Sequence, residues 1–410
     1  MNMSITSGDS ATSVPWSAKR NSSIELLRIV SMVMIIGFHF LLVNSEAGSM
    51  RMLPVGISKF FYENLFLSGG WIGNCIFFTI SVWFLVERNQ TLKKCLRRVW
   101  LLEREVLFWS IVIFVFVVSM HLVDGNGVWR LLFVSLFPLS SSLWWYPTSY
   151  AIFLVLLPFL QEGLQSLGKS KHRNLVIIVL TMWGIGGLIY GFNFDLTVSS
   201  VFVMIYWFIL ITYYKWYMHE FSSRQCMLFI LSGLCIEIIY WIGTNWLSLI
   251  GGRDDGIQNF IYDHWKLPSM MIGFSLFVLA RKRVFYSKIV NRIAKTTFGV
   301  FLIHYHPNVY SWWTSKLPLS QIVQHSRGIG VVIIVGIIVS VFCVCSLLDL
   351  CRQVIFHYTI DRNPGRLFDW VWNKRSLVRH KSVQIIGIIM FTLLIAVSFM
   401  TGMIGIADSI

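Results

Sequence analysis

An arginine and a histidine stand inside one apolar stretch, residues 24–43, which opens IELLRIVSMVMIIGFHF. Arg28 and His39 are eleven positions apart, so on a helix they return to within roughly 20° of one face and lie about 16 Å apart along its axis. An ionisable group inside a membrane span costs on the order of 3 kcal/mol, and such groups face cavities and mark function. A second apolar stretch, TTFGVFLIHYHPNVYSWW from Thr296, carries His304 and His306. These two point about 200° apart on a continuous helix, so both serve one site only if the helix breaks. Imidazole titrates near neutrality and is the natural general base for taking a proton from a hydroxyl that attacks an activated acyl group. The sequence has no G-x-S-x-G elbow, no P-loop, no HExxH and no G-x-G-x-x-G. Histidine in the membrane is the chemistry that remains.

The elements that must position these residues follow from composition. The chain has 410 residues, is 56% hydrophobic and 13% charged, and has a mean hydropathy of +0.68, values outside the range of a soluble domain. Eleven apolar segments approach the length needed to cross about 30 Å of hydrocarbon. They begin near Ile24, Gly70, Glu105, Leu143, Asn174, Thr197, Met227, Trp265, Thr296, Gly328 and Val383. The fold class expected is therefore all-α, a polytopic transmembrane helix bundle.

A net charge of +15 could mean nucleic acid, but the placement of the charge argues against it. With the N-terminus cytoplasmic, 26 of the 34 Lys and Arg fall in inner segments and seven in outer ones, with Arg28 completing the set. That asymmetry is the positive-inside pattern, so the basic charge is topology and no nucleic-acid partner is expected. The densest inner loop, RNQTLKKCLRRVWLLER, enforces orientation or docks an anionic cytosolic donor, and the two roles are compatible. The seven cysteines are read as structural: Cys75, Cys235, Cys343 and Cys345 lie in spans, and Cys95, Cys226 and Cys351 in reducing inner loops. Cys343 and Cys345 face different sides of a helix, and no metal site is expected.

Other stretches leave alternatives open. Residues 1–23 read as a flexible cytoplasmic tail rather than a signal peptide, since the apolar core that follows is too long and lacks a small-residue cleavage site. Outer residues 44–69 read as an interfacial loop carrying Phe60, Phe61, Leu65 and Phe66. Residues 129–139 are apolar but too short to cross, which fits a re-entrant or interfacial piece. Leu143–Pro147, LWWYP, is an interfacial aromatic anchor or a sugar-stacking platform. A tight outer turn is expected around Asn193 and Asp195. Glu237 falls near the middle of a span, where a carboxylate is paired structurally or belongs to a site. The longest outer loop holds GGRDDG and YDHW, a mixture that fits a polar acceptor or ordinary solvation.

Four motifs in order resemble the acyltransferase-3 membrane proteins: NSSIELLR leading to the Arg28/His39 pair, FFTIS (Phe77 to Ser81), LWWYP, and TFGVFLIH (Thr297 to His304). The resemblance runs from about Asn21 to Leu350. It implies acyl-CoA as donor, Arg28 for donor or structural contacts, the basic pair Arg97 and Arg98 as donor contacts, and His39 as catalytic base. Glu25, Ser81, Trp145, Glu237 and His304 are the further candidate lining residues. It also implies a ten-helix core at 24–350, leaving residues 351–382 as a basic cytoplasmic linker and 383–406 as an additional C-terminal transmembrane helix that ends outside. Two departures stand out: Val82 replaces the usual Gly, and the family's inner Arg-x-x-Arg is represented by Lys94 to Arg97 or by Arg98 and Arg104. The expected protein is an O-acetyltransferase of the cell membrane, with acetyl-CoA as co-substrate, no tightly bound cofactor, a saccharide acceptor and lipid as its surroundings. A non-enzymatic carrier or flippase of lipid-linked saccharides would also want a buried Arg and His. A polysaccharide polymerase would show several arginines in a large outer loop, whereas the longest outer loops here offer only Arg51 and Arg253.

Overall fold

A computed structural model describes residues 20–43, 53–87, 89–189, 196, 201–251, 261–325, 329–363 and 365–374. The expected tail before residue 20, the Asn193/Asp195 turn, the GGRDDG loop beyond Gly251 and the segment 383–406 lie outside the described residues. Among the described residues there is no strand, and the chain is an all-α bundle. It divides into two compact units, residues 1–359 and 360–410.

Among its described residues the first unit has thirteen helices: α1 (Ser22–Phe38), α2 (Ile57–Val86), α3 (Leu92–Ser119), α4 (Asn126–Leu136), α5 (Trp145–Val179), α6 (Val201–Tyr217) and α7 (Ser223–Gly251), then α8 (Leu267–Lys282), α9 (Lys288–Ala294), α10 (Thr297–His304), α11 (Pro307–Ser315), α12 (Leu319–His325) and α13 (Ile329–Tyr358). Five helical stretches among the described residues are long and apolar enough to cross a bilayer: Ser22–Leu41, Ile57–Val86, Trp145–Leu188, Ser223–Gly251 and Ile329–Tyr358. The chain is a multi-pass membrane protein. Large apolar side chains on α7 and α13, among them Ile239, Leu247, Val332 and Leu347, are exposed as lipid-facing residues should be.

Four boundaries differ from the sequence expectation. The helix expected from near Glu105 starts at Leu92, so most of the basic stretch read as an inner loop is helical. Span 2 starts at Ile57, not near Gly70, because no proline interrupts residues 57–86 and the helix runs on through a π-helical stretch at Tyr62–Ser68. The outer segment ahead of it is correspondingly shorter, with Phe61 and Leu65 exposed and Phe66 buried. Expected spans 4 and 5 appear as one 44-residue run, twice what a bilayer needs. Gly168, at φ 66° and ψ 174°, divides it into two helices. Finally, the stretch holding His304 and His306 is not continuous. α10 ends at His304 and α11 starts at Pro307, with His306 extended between them as a residue before proline prefers.

α1 is the hub, packing on α2, α9, α13, α8 and α10. Its approach to α2 is close: a Cβ at Gly73 would lie 2.7 Å from the Ser31 carbonyl, and one at Gly70 would overlap the Phe38 side chain. Small residues at such crossings replace the hydrophobic drive that lipid cannot supply. The entry of α1 is bolted down. Asn21 caps it by accepting from Ser23 N at 3.0 Å, and Ser22 Oγ bonds Asn291 Oδ1 at 2.9 Å and accepts from Ser287 N at 2.8 Å. On the far side, buried Asp349 of α13 accepts from Trp109 Nε1 at 3.0 Å and from Arg352 Nε at 2.7 Å, joining α3 to α13. Gly299 of α10 lies against that carboxylate, where a Cβ would collide.

In the second unit, α14 (Arg366–Lys374) is amphipathic, with Phe368 stacked on Trp372 at 5.8 Å and Lys374 Nζ 4.2 Å above the Trp370 ring. In the first unit α13 runs eight residues past Leu350, to Tyr358, so helix covers the start of the segment expected as linker.

Candidate active site

The first turns of α1 and the last turns of α2 enclose, with α3, α5 and α10, a cavity of about 780 Å³. Arg20, Arg28, Arg98 and Lys295 bring positive charge to it. Glu25 sits between two of these, 2.5 Å from Arg20 Nε and 3.1 Å from Arg28 Nη1. One buried carboxylate thus orients two guanidinium groups and leaves the group net positive. Arg98 is held by Gln90 Oε1 at 2.5 Å. Further in, the wall is Phe77, Ile80, Phe84, Leu85, Phe298 and the pair Ser81 and Tyr146, whose hydroxyls are 3.0 Å apart. Cationic, aromatic and hydroxyl-lined in one space, it suits a ligand with an anionic head and a less polar arm.

His39 does not line this cavity. It begins a π-helical turn, His39–Val43, at the end of α1; such turns concentrate at functional sites. Only 4% of it is exposed. Its Nδ1 is 2.9 Å from His304 Nε2, and His304 Nδ1 is 2.6 Å from the Val300 carbonyl oxygen. A carbonyl only accepts, so His304 carries its proton on Nδ1. In its neutral form His304 Nε2 is then an acceptor, and His39 Nδ1 must donate to it. The lone pair of His39 is therefore on Nε2. Tyr305 stacks on the His39 ring at 3.8 Å and 9°, fixing its plane. α11 holds both backbones: Tyr310 Oη donates to the His39 carbonyl at 2.8 Å, and Trp313 Nε1 to the His304 carbonyl at 3.1 Å. Between the cavity and His39 lies a run of rings, Tyr146 to Phe301 at 5.9 Å and Phe301 to Tyr305 at 5.7 Å.

The family model described as "Acyltransferase domain" matches residues 21–350. The chain belongs to the acyltransferase-3 family. No curated protein and no solved structure matches it. The matched region opens at the Asn21 cap and closes one residue past Asp349, so it contains the histidine pair, Asp349 and the cavity lining other than Arg20.

Among the residues singled out in the sequence, Glu25, Arg28, Ser81 and Arg98 of this acyltransferase meet in the cavity, and His39 and His304 meet behind it. Arg97 is not in the cavity lining. Trp145 stacks on Phe78 at 6.2 Å, outside the lining. Glu237 belongs to a separate polar knot, accepting from Ser68 Oγ at 2.5 Å and Ser269 Oγ at 3.4 Å. Sequence reasoning passed over Arg20, Tyr150 and Lys295, which line the cavity. Arg20 had a usable signal, because it directly precedes the helix cap that starts the motif. Tyr150 and Lys295 had none, since they arrive from other helices.

Proposed function

We propose that the protein is an O-acetyltransferase of the cell membrane, N-terminus cytoplasmic, that moves an acetyl group from cytosolic acetyl-CoA to a hydroxyl of a saccharide, with His39 as general base. The observation that carries this reading is the oriented pair, His39 Nδ1 to His304 Nε2 at 2.9 Å, behind a cavity with a cationic rim. The charge asymmetry of the loops supports an orientation with Arg28 toward the cytosol and His39 deeper, in which donor and acceptor approach from opposite sides.

In this scheme Arg20, Arg28, Arg98 and Lys295 receive the phosphates of the donor, and the pantetheine arm runs along the Ser81 and Tyr146 hydroxyls toward Phe301 and Tyr305. The acceptor hydroxyl gives its proton to His39 Nε2 as its oxygen attacks the thioester carbonyl. The C–S bond breaks, the C–O bond forms, and the proton passes from His39 to the departing thiolate. The imidazolium that forms briefly keeps its Nδ1–H on His304. Burial of the pair excludes water, which would otherwise hydrolyse the thioester.

The test uses purified protein in lipid nanodiscs with acetyl-CoA and the deacylated surface glycan of the source cell. Free CoA should appear together with acetylated glycan, and His39→Ala should reduce both at least about 10³-fold while the protein still accumulates in membranes. Full activity in that variant would remove His39 from the mechanism. A carrier would consume no acetyl-CoA.

A further inference from the structure

A second cluster of polar edges is linked to His39 through two aromatic residues, Phe38 and Trp71. Phe38 touches both His39, ring centroids 5.6 Å apart, and Trp71, 4.7 Å apart. Trp71 and Phe78 are seven residues apart on α2 and share a face. The His264 ring is sandwiched between them, at 5.4 Å and 16° from Trp71 and at 5.0 Å and 17° from Phe78. Trp265 stands edge-on to it at 4.9 Å. His264 is fully buried and Trp265 is 2% exposed. Neither ring nitrogen of His264 nor Nε1 of Trp265 has a hydrogen-bond partner among the described residues.

Three unmade hydrogen bonds in one buried corner demand an occupant, because a buried unsatisfied polar group costs about 1–3 kcal/mol. Burial pushes the His264 pKa down to about 3, so near neutral pH the ring offers one donor and one acceptor. The indole offers a donor only. Trp71 and Phe78 cover both faces of the His264 ring, so only its nitrogen-bearing edge is left for a partner. A ligand that satisfies this set needs hydroxyls, which both donate and accept.

We propose that the His264–Trp265 corner, framed by Trp71 and Phe78, is the subsite that holds the acceptor saccharide beside His39. The proposal rests on the acyl-transfer reading above. Its stretch of sequence, YDHW, was open to a polar acceptor or to plain solvation, and complete burial of His264 excludes solvation.

The experiment measures transfer in nanodiscs with acetyl-CoA and the deacylated surface glycan as probe. His264→Phe keeps a flat ring in the sandwich and removes both nitrogens. It should raise KM for the glycan at least tenfold and KM for acetyl-CoA less than twofold. Trp265→Phe, which removes a single donor, should raise KM for the glycan by a smaller factor and carries the test if His264→Phe does not fold. His264→Gln, which restores a donor and an acceptor, should recover part of the loss. Unchanged glycan KM in both Phe variants would mean that the corner holds an internal water only, and would overturn the proposal. Equal changes in the two KM values would overturn it as well. Absence of transfer by the wild-type protein would instead overturn the acyl-transfer reading.

Discussion

His304 shows how one side chain can set another's chemistry without touching substrate. Its Nδ1 is committed to the Val300 carbonyl, which leaves Nε2 to accept and turns His39 so that Nε2 is its basic atom. Removing His304 leaves His39 free to exchange tautomers, so His304→Ala should lower kcat about 10²-fold or more. KM for acetyl-CoA should hold, since His304 is outside the cavity lining. His304→Gln, whose amide oxygen can accept from Nδ1–H, should retain more activity than the alanine variant. A fall confined to KM would contradict the positioning role. At this scale the sequence was informative about identity and poor about partnership. Arg28 and His39 were visible because a charge in an apolar run is conspicuous. That His304 rather than His306 meets His39 depends on the backbone break at Tyr305 and His306, which helical spacing alone cannot choose.

Helix crossings decide whether the two histidines meet at all. α10 carries His304 and must lie flush on α13, where the absence of a side chain at Gly299 leaves room for the Asp349 carboxylate. That carboxylate also holds Trp109 and Arg352, so displacing it disturbs a buried ion pair, an effect of about 3–5 kcal/mol when such a pair is broken. Gly299→Val should therefore lower the midpoint of thermal unfolding in detergent. Combined with Asp349→Ala, it should cost less than the sum of the two single changes, because the colliding group has been removed; strict additivity would mean that the close approach is unimportant. Element existence was largely legible from apolar run length and element limits were not. The 57–86 helix absorbs residues that looked like an interfacial loop, whereas the Gly168 break falls between the two spans expected from Leu143 and Asn174. The short apolar piece near 129–139 falls largely within the brief helix Asn126–Leu136.

For the whole molecule, the distribution of basic residues makes a directional statement that can be checked independently of catalysis. Lys169, just after the Gly168 break, is expected on the cytosolic side, and Lys316, at the end of α11, on the outer side. In a cysteine-free background, Lys316→Cys should react with a membrane-impermeant thiol reagent in intact cells. Lys169→Cys should react only after the membrane is opened. The reverse pattern would invert the proposed routes of donor and acceptor. Composition made the membrane class and the all-α fold legible from the start. It could not show that α1, the helix with the conspicuous charges, is also the one against which α2, α8, α9, α10 and α13 all pack, because that is a property of crossings between distant segments.

Glu25 has a consequence for turnover. A rim built of arginine and lysine alone would hold a polyanion firmly before and after the reaction, and spent CoA keeps every phosphate of the donor. By sharing its carboxylate between Arg20 and Arg28, Glu25 moderates that grip. Glu25→Gln should then lower KM for acetyl-CoA and lower kcat with it, with inhibition by free CoA becoming stronger. In the proposed reaction, the acid in the middle of the basic cluster would let the product leave.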